Sequence, residues 1–380
     1  MPTIHLPYGG SSAHRDIACP GNKARSADLP HPPTGQAAID GSMHHQVMEE
    51  CFRRDLEPAD LIGLIYKEPG EDTTREFTAD DLTLSEIGWR AINNVLDEYD
   101  IEDMMIEPFV QFIEGKSGGS IDVLGISADG KTAMIADFKF GTFRVSPEES
   151  AQHAVYALSA MNDPTTRDLF TKVKKIVFVL IQPQVKGVVT KWETKPQWIR
   201  TFQKKYEAAM ASDTIRPGKH CKYCRAEPYC DAKRVNVMAA NLLGGREQEE
   251  LQAAADMVEE VEQWVKAVKN ELYWHVSRGV PVTGWKVVDK RATRKWSDRE
   301  GLVAALKLPK KDMFKPGELL SPAQMEKVIK SKKLDFPLDP YTVKESSGTT
   351  LAPDSDSREA VIVSDVTGKL EDMVGNPRKE

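Results

Sequence analysis

The sequence predicts a mixed α/β domain in which helices pack on a central sheet. Amphipathic helical patterns and strand-like runs alternate in the order helix, helix, three strands, helix, two strands, helix. The run KKIVFVLIQPQV is continuously apolar, which is typical of a strand buried on both faces. The composition, 40% hydrophobic and 29% charged over 380 residues, is that of an ordinary globular protein.

The first part of the chain supplies two helices and three strands. Residues 1–34 are rich in Gly, Pro and Ser and predict a loop. The helical patterns cover residues 35–56 and 83–100. The strand-like runs are EPFVQFIEG, GSIDVLGISADG and TAMIADFKFG, with a turn at Asp129-Gly130.

A further helix and two strands complete the predicted sheet. The helix is expected to start with Ser146 as its cap and Pro147 at its first position. The apolar run then pairs antiparallel with GVVTKWET, and a basic helix follows over residues 195–212.

The later chain predicts an accessory region. A helical pattern covers residues 246–278, and shorter strand and helix patterns follow it. Four divisions are predicted. Residues 1–34 form an N-terminal segment that carries the first cysteine of the set, and residues 35–242 form the core. Residues 243–345 form a C-terminal extension of helices and mixed structure, and residues 346–380 form a disordered tail.

Charge is distributed unevenly along the chain. The net charge is −7, yet residues 49–107 hold 18 acidic and 5 basic residues, whereas residues 167–234 hold 16 basic and 6 acidic ones. The basic segment can face a polyanion such as DNA, or the two segments can be solvated faces of opposite sign. Its aromatic residues, Trp192, Trp198 and Tyr206, fit either base stacking or core packing.

The sequence contains no run of 18 apolar residues, so it predicts no membrane-spanning helix. Its first residues lack the pattern of a signal peptide, in which charged residues precede an apolar stretch. We therefore expect a cytoplasmic protein that does not contact a membrane.

A pair of strand-like runs carries acidic residues that favour a metal site. Asp137 and Lys139 are two apart on one strand and share a face. A hairpin would bring Asp122 beside Asp137, and two carboxylates repel unless a positive charge lies between them. Mg²⁺ or Mn²⁺ would supply that charge, although an isolated D-x-K is more often a surface ion pair.

Two helices carry further candidate residues. Gln152 and Tyr156 are spaced i, i+4 and share one helix face, where they either line a site or fill a helix–sheet contact. His44 and His45 are adjacent on the first helix, and periodicity does not decide which one points inward.

Cysteine use favours a metal-binding or catalytic cluster over disulfides. The chain has five cysteines, three of them in HCKYCRAEPYC at Cys221, Cys224 and Cys230. Cys19 lies far upstream, and Cys51 falls inside the first helix as an apolar thiol.

Together these features resemble the RecB-type branch of the PD-(D/E)XK nucleases, over about residues 11–235. GSMHH resembles its G-x-x-x-H motif, GSID its G-x-x-D motif, DFK its D/E-x-K signature and QHAVY its Q-x-x-x-Y motif. The resemblance implies a restriction-endonuclease-like mixed sheet flanked by helices. It also implies a metal site for Mg²⁺ or Mn²⁺.

The resemblance also implies roles for individual residues. The implied metal ligands are His45, Asp122, Asp137 and the carbonyl of Phe138. Lys139 would be catalytic, holding water or stabilising developing charge. The residues implied to position the DNA strand are Gln152 and Tyr156.

Some RecB-type nucleases bind an iron–sulfur cluster through one cysteine before the core and three behind it. The resemblance implies a [4Fe–4S] cluster that staples the N-terminal segment to the core through Cys19, Cys221, Cys224 and Cys230. A structural Zn²⁺ site has the same four ligands, and spacing alone does not separate the two.

Within this branch the chain resembles phage and prophage proteins that are similar to the CRISPR-adaptation exonucleases. The implied function is a metal-dependent DNA exonuclease in recombination, end resection or repair, acting with a single-strand annealing or single-strand-binding protein in the host cytoplasm. The alternatives are a catalytically silent module that binds DNA ends or a recombination partner, and a structure- or site-specific endonuclease.

Overall fold

The computed structural model describes residues 6–29, 34–70, 73–239, 248–315 and 318–362. The chain forms two compact units, Met1–Trp264 and Val265–Glu380. Within the described residues, no helix has the length and apolar character needed to cross a bilayer.

Unit 1 contains the predicted helices and strands together with several short elements. In chain order they are β1 (Tyr8–Gly9), α1 (Ala13–Ala18), α2 (Asn22–Ser26), α3 (Gln36–Arg54), β2 (Ile65–Lys67), β3 (Thr74–Glu76), α4 (Leu82–Glu98), β4 (Ile101–Ile106), β5 (Phe109–Ile113), β6 (Ser117–Ser120), β7 (Val123–Ser127), β8 (Thr132–Phe138), α5 (Ala151–Asn162), β9 (Lys175–Ile181), β10 (Val189–Thr194), α6 (Pro196–Met210), α7 (Asp231–Ala239) and α8 (Gln248–Val276). The division between the units falls inside α8.

The central sheet of unit 1 has five strands in the order β10-β9-β8-β7-β4. Neighbouring strands are antiparallel except β8 and β9, which run parallel. A parallel pair needs a crossover, and α5 supplies it. The predicted mixed α/β class is confirmed.

Both faces of this sheet are buried, which explains the continuous apolar runs in β8 and β9. On β8, Ile135 packs into one hydrophobic cluster and Met134 into the other. On β9, Phe178 packs into the same cluster as Ile135, and Val177 packs into the same cluster as Met134. Each of these four side chains is fully buried, and burial of such a side chain contributes about 1.5–3 kcal/mol.

The run EPFVQFIEG does not join this sheet as its three-strand pattern predicted. It forms β5, which pairs with β6 in a separate three-stranded sheet of order β1-β6-β5. The neighbour of β7 is instead β4, which sequence patterning missed. Glu107 adopts a positive φ of 51° and Pro108 follows it, so the chain turns between β4 and β5.

Helix α5 starts later than its first cap signal predicted. Ser150, not Ser146, is the N-cap, and its hydroxyl accepts a hydrogen bond from the His153 amide. Glu149 has a φ of 50°, which is incompatible with a helix running through it. Ser146 and Ser150 are both suitable N-cap residues, and the helix starts at Ser150 because the non-helical backbone of Glu149 comes directly before it.

The N-terminal segment is ordered from residue 6 to residue 29 rather than a plain loop. Helix α1 packs against α5 and α6. The Tyr206 hydroxyl donates to the carbonyl of Tyr8 at 3.3 Å, and the Gly21 amide donates to the carbonyl of Thr214 at 3.0 Å. These contacts hold the segment against residues almost 200 positions later in the chain.

Unit 2 contains short strands and helices, as the mixed strand and helix patterns of this region predicted. Its elements are β11 (Trp285–Asp289), β12 (Thr293–Trp296), α9 (Arg299–Leu306), α10 (Lys310–Met313), β13 (Phe314–Lys315), β14 (Glu318–Leu319), α11 (Pro322–Ser331), β15 (Thr342–Glu345) and β16 (Thr349–Pro353). The strand pairs are β11–β16, β12–β15 and β13–β14, all antiparallel.

Two predicted boundaries differ from the structure. Strand β16 lies within the tail predicted to be disordered, and it is ordered because it pairs along its length with β11, with Ala352 buried. The remainder of that tail, 363–380, lies outside the described residues. The core extends past the predicted limit of 242 because the first half of α8 packs on unit 1, where Glu260 pairs with Lys233 at 2.9 Å.

Candidate functional site

The β7–β8 hairpin brings two of the predicted carboxylates to one end of the sheet. Val123 pairs with Ala136, so Asp122 and Asp137 occupy the next positions of the two strands. The Oδ2 atom of Asp122 accepts a hydrogen bond from the Phe138 amide at 2.7 Å. The predicted proximity of these two residues is confirmed.

Asp137 is held by two predicted partners. The Gln152 amide donates to its Oδ1 at 2.8 Å, and Lys139 Nζ lies 2.5 Å from its Oδ2. Gln152 also donates to the Tyr156 hydroxyl at 3.3 Å. The late start of α5 places both α5 residues over the end of β8.

The structure separates the two adjacent histidines. His45 Nδ1 lies 3.3 Å from Asp122 Oδ2, so His45 faces the carboxylates. His44 points the other way, where it bonds Ser85 at 2.8 Å and stacks on Phe140. Burial lowers the pKa of His44 to about 4, so it is a neutral core residue at neutral pH.

Glu107 joins this site, and sequence patterning did not find it. His45, Glu107 and Asp122 offer ligand atoms that lie within 4.8 Å of one another. Asp137 lies outside this group, and its carboxylate is engaged by Lys139 and Gln152. Recognising β4 as the neighbour of β7 would have revealed Glu107, because the pairing of Ile106 with Val123 puts it beside Asp122.

The pKa shifts of this group follow from its burial and from the charges that its members place on one another. Burial first, and then the Asp122 carboxylate, raises the pKa of Glu107 to about 7. Burial alone would lower the pKa of His45, but Asp122 outweighs it and the pKa is raised. Burial opposes ionisation of Asp122, but His45 outweighs it and the pKa is lowered.

This donor set suits a divalent cation. One imidazole and two carboxylates converge, and Phe138 lines the same cavity. Lys139 stands beside it as a cation, since burial would lower its pKa but Asp137 outweighs burial and the pKa is raised.

The four predicted cysteines line one small cavity of about 20 Å³. Cys19 comes from the end of α1, and the others come from the segment between α6 and α7. Cys51 is fully buried in α3 and takes no part. The predicted association of Cys19, Cys221, Cys224 and Cys230 is therefore present in space.

The spacing of the sulfur atoms bears on what the cavity can hold. Within the described part of the chain, no three cysteine Sγ atoms lie mutually within 4.8 Å. A single tetrahedral Zn²⁺ with Zn–S bonds of about 2.3 Å draws its sulfurs to about 3.8 Å apart. Four thiolates are the ligand set both of a [4Fe–4S] cluster and of a structural zinc site.

The cavity wall suits an anionic centre. Its lining includes Arg15, Arg25 and Arg216. Backbone amides of Arg216 and Gly218 donate to the sulfurs of Cys19 and Cys221, both at 3.4 Å. Hydrogen bonds of this kind are a means by which proteins tune thiolate-bound clusters.

Three aromatic residues of the basic segment pack inward rather than presenting free faces. Tyr206 is fully buried, and Trp198 packs against Trp192 and Phe202 with centroid separations of 4.8 and 5.9 Å. Core packing therefore accounts for Tyr206, while Trp192 on β10 and Trp198 on α6 are partly buried against the same hydrophobic cluster.

A family comparison covers most of the chain. The family model described as "Protein of unknown function (DUF2800)" matches residues 5–359. The chain belongs to the DUF2800 family. The crystal structure of protein VC1899 from Vibrio cholerae matches this DUF2800 chain at 10% identity with a TM-score of 0.18. That match covers 54% of this chain and 55% of VC1899, so the chain spans about half the length of that protein.

The N-terminal segment of the DUF2800 chain reaches the site through Gly10. A Cβ atom at Gly10 would lie 2.5 Å from Cε1 of Tyr156, so only glycine allows this approach. Tyr156 in turn contacts Gln152, which holds Asp137. The segment fastened by Cys19 therefore supports the wall of the carboxylate site.

Gly10→Ala should destabilise unit 1 by about 1–3 kcal/mol, because the added methyl group overpacks against Tyr156. Urea unfolding followed by tryptophan fluorescence measures this. Gly41→Ala is the matched control, since it lies in α3 with nothing within 4 Å and should stabilise by up to about 1 kcal/mol. Equal midpoints for Gly10→Ala and wild type would contradict the close approach.

Mn²⁺ affinity should rise between pH 6 and pH 8. A raised pKa leaves Glu107 protonated below about 7, and a protonated His45 also repels a cation. Titration calorimetry should show a dissociation constant that falls by up to about tenfold per pH unit for each proton released. Glu107→Gln should weaken binding at pH 8 and flatten this dependence. The control variant Glu114→Gln, on the exposed β5–β6 turn, should change neither the affinity nor its pH dependence. An unchanged pH dependence of Mn²⁺ binding in Glu107→Gln would exclude Glu107 as a ligand.

Proposed function

We propose that this DUF2800 protein is a divalent-metal-dependent deoxyribonuclease that degrades DNA from ends. The observation that carries the proposal is the convergence of His45, Glu107 and Asp122 beside the Asp137–Lys139 pair. A scaffold that only bound DNA would gain nothing from burying three carboxylates next to one another. A mixed sheet flanked by helices, which the resemblance to RecB-type nucleases implies, further supports it.

The metal ion would be held by His45, Glu107 and Asp122. When bound, Mg²⁺ or Mn²⁺ polarises a phosphoryl oxygen and lowers the pKa of a coordinated water. Asp137 and the carbonyl of Phe138 are the other ligands that the resemblance implies. Engagement of Asp137 would require its ion pair with Lys139 to loosen, since the two are 2.5 Å apart.

The protein groups around the cation do the remaining work. Lys139 stays protonated at neutral pH, so its ammonium can orient water and stabilise charge that develops on the phosphate. Gln152 fixes the orientation of Asp137, and Asp137 fixes Lys139. Tyr156 has a raised pKa, caused first by burial, and acts as a neutral hydroxyl that positions Gln152.

We propose a [4Fe–4S] cluster for the four-cysteine cavity. The arginine lining and the amide–sulfur hydrogen bonds support an anionic thiolate centre, and the resemblance to RecB-type nucleases supports iron–sulfur over zinc. Its role is structural, because it joins Cys19 to residues about 200 positions later and so closes a very long loop. The segment it fastens carries Gly10, which contacts Tyr156.

Asp137→Ala and Lys139→Ala should each lower Mg²⁺- or Mn²⁺-dependent degradation of linear DNA by at least about 100-fold. The chain offers a matched control in Asp129 and Lys131, a second D-x-K pair that bonds at 2.9 Å on an exposed turn. Alanine at either control position should leave the rate unchanged. Equal rates for the Asp137, Lys139 and control variants would exclude this site.

Covalently closed circular DNA tests the preference for ends in the same assay. We expect it to resist wild-type protein, while the linear form is degraded; cleavage of the circle would identify an endonuclease instead.

Anaerobically purified protein should be brown and contain about four iron and four sulfide per chain. Cys19→Ser should lower both contents, because it removes one of four ligands. Cys51→Ala, which alters a buried thiol outside the cavity, should retain them. One zinc per chain with no sulfide would refute the cluster and leave the nuclease proposal standing.

A further inference from the structure

An aromatic and cationic patch lies beside the loop that leaves the catalytic lysine. Phe143 is 79% exposed and Tyr223 is 71% exposed, although both are large apolar rings. Lys222 Nζ lies 5.3 Å from the Phe143 ring centroid and 5.4 Å from that of Tyr223. We call Phe143, Lys222 and Tyr223 the aromatic platform.

The backbone that presents Phe143 is held firmly. Gln182 is only 2% exposed, and its side chain donates to the carbonyl of Phe143 at 2.9 Å. The Val145 amide donates back to the same side chain at 3.0 Å. A buried glutamine therefore fixes this loop while the Phe143 ring stays in solvent, which is the arrangement of a displayed residue rather than of a flexible loop tip.

The other half of the platform is fixed by the four-cysteine site. Lys222 and Tyr223 lie in the 3₁₀ turn Lys219–Tyr223, next to Cys221 and Cys224. Arg15 of the N-terminal segment donates to the carbonyl of Tyr223 at 2.5 Å. Both halves are thus anchored by backbone contacts, and only their side chains face solvent.

The positive charges of the patch favour binding of an anion. Lys222 and Arg144, which follows Phe143 on the same loop, have no carboxylate partner among the residues that the structure describes. Exposed rings beside unpaired cations match single-stranded nucleic acid, whose bases stack on aromatic faces while its phosphates meet the cations. A duplex hides its base faces and cannot use the rings.

We propose that the aromatic platform binds a single DNA strand by stacking bases on Phe143 and Tyr223, with Lys222 contacting the intervening phosphate. Phe143 follows Lys139 by four residues, so the loop that leaves Lys139 carries one ring of the platform. This inference rests on the proposed nuclease function and assigns its substrate class as single-stranded DNA.

Binding without cleavage tests the platform separately from catalysis. The full chain is titrated in EDTA against a fluorescein-labelled 15-mer of dT and against an abasic 15-mer with the same number of phosphates. Anisotropy should show tighter binding of dT. Phe143→Ala and Tyr223→Ala should each weaken dT binding by about tenfold or more, while affinity for the abasic strand is unchanged.

Conservative and matched variants guard against a folding defect. Phe143→Tyr and Tyr223→Phe keep the rings and should retain dT affinity. Lys222→Ala should weaken both strands and lower the salt dependence of log K by about 0.7. Ile65→Ala, on an exposed residue of the β2–β3 hairpin, should change neither.

Three results would overturn the proposal. They are no preference of wild type for dT over the abasic strand, unchanged dT binding in both alanine variants, and equal losses on both strands. The nuclease assay with metal separates the two claims. If DNA binding depends on the two rings but no nuclease activity is found, the platform proposal stands and the nuclease proposal is wrong. If single-stranded DNA is degraded but binding does not depend on the rings, the nuclease proposal stands and the platform proposal is wrong.

Discussion

Three carboxylates lie at one end of the central sheet, on Glu107, Asp122 and Asp137. They repel one another, and the surrounding residues have to offset that repulsion. His45 offsets the charge of Asp122, and Lys139 offsets that of Asp137. Burial first, and then the Asp122 carboxylate, raises the pKa of Glu107 to about 7. A divalent ion among His45, Glu107 and Asp122 would remove the remaining imbalance, which is why the metal site is the centre of our functional proposal.

The same site depends on chain segments that are far apart in sequence. Cys19 and the cysteines after α6 meet at one cavity, and the segment between β1 and α1 reaches Tyr156 through Gly10. The cysteine turn also carries Lys222 to Phe143. A centre bound by the four thiols would therefore hold two walls of the site, one behind α5 and one beside the loop after β8, without taking part in the chemistry.

Much of the local structure followed from the sequence, and the misses have definite causes. The alternation of β8 and the adjacent turn predicted that Asp122 and Asp137 would be neighbours, and they are. Strand β4 was missed because IEDMMI mixes charge with apolar residues at a sheet edge, where one side is open. That miss also hid Glu107. Helix α5 was started too early because Ser146-Pro147 is as good a start signal as Ser150, and only the backbone at Glu149 separates them.

By itself the sequence determined the α/β class, the hairpin that pairs Asp122 with Asp137, and the cluster of Cys221, Cys224 and Cys230, because these depend on residue periodicity, turn chemistry and spacing along the chain. Cys19 joined that cluster only through the family resemblance. Periodicity left His44 and His45 open, and the family resemblance favoured His45. Only the tertiary structure showed that His45 faces the carboxylates, that Glu107 joins them, and that Trp198 and Tyr206 are packed while Phe143 and Tyr223 are exposed. Those outcomes depend on which surfaces of distant segments come into contact. Adjacent histidines, or aromatics in one basic segment, have the same local pattern whichever way they face, so packing between segments decides between them.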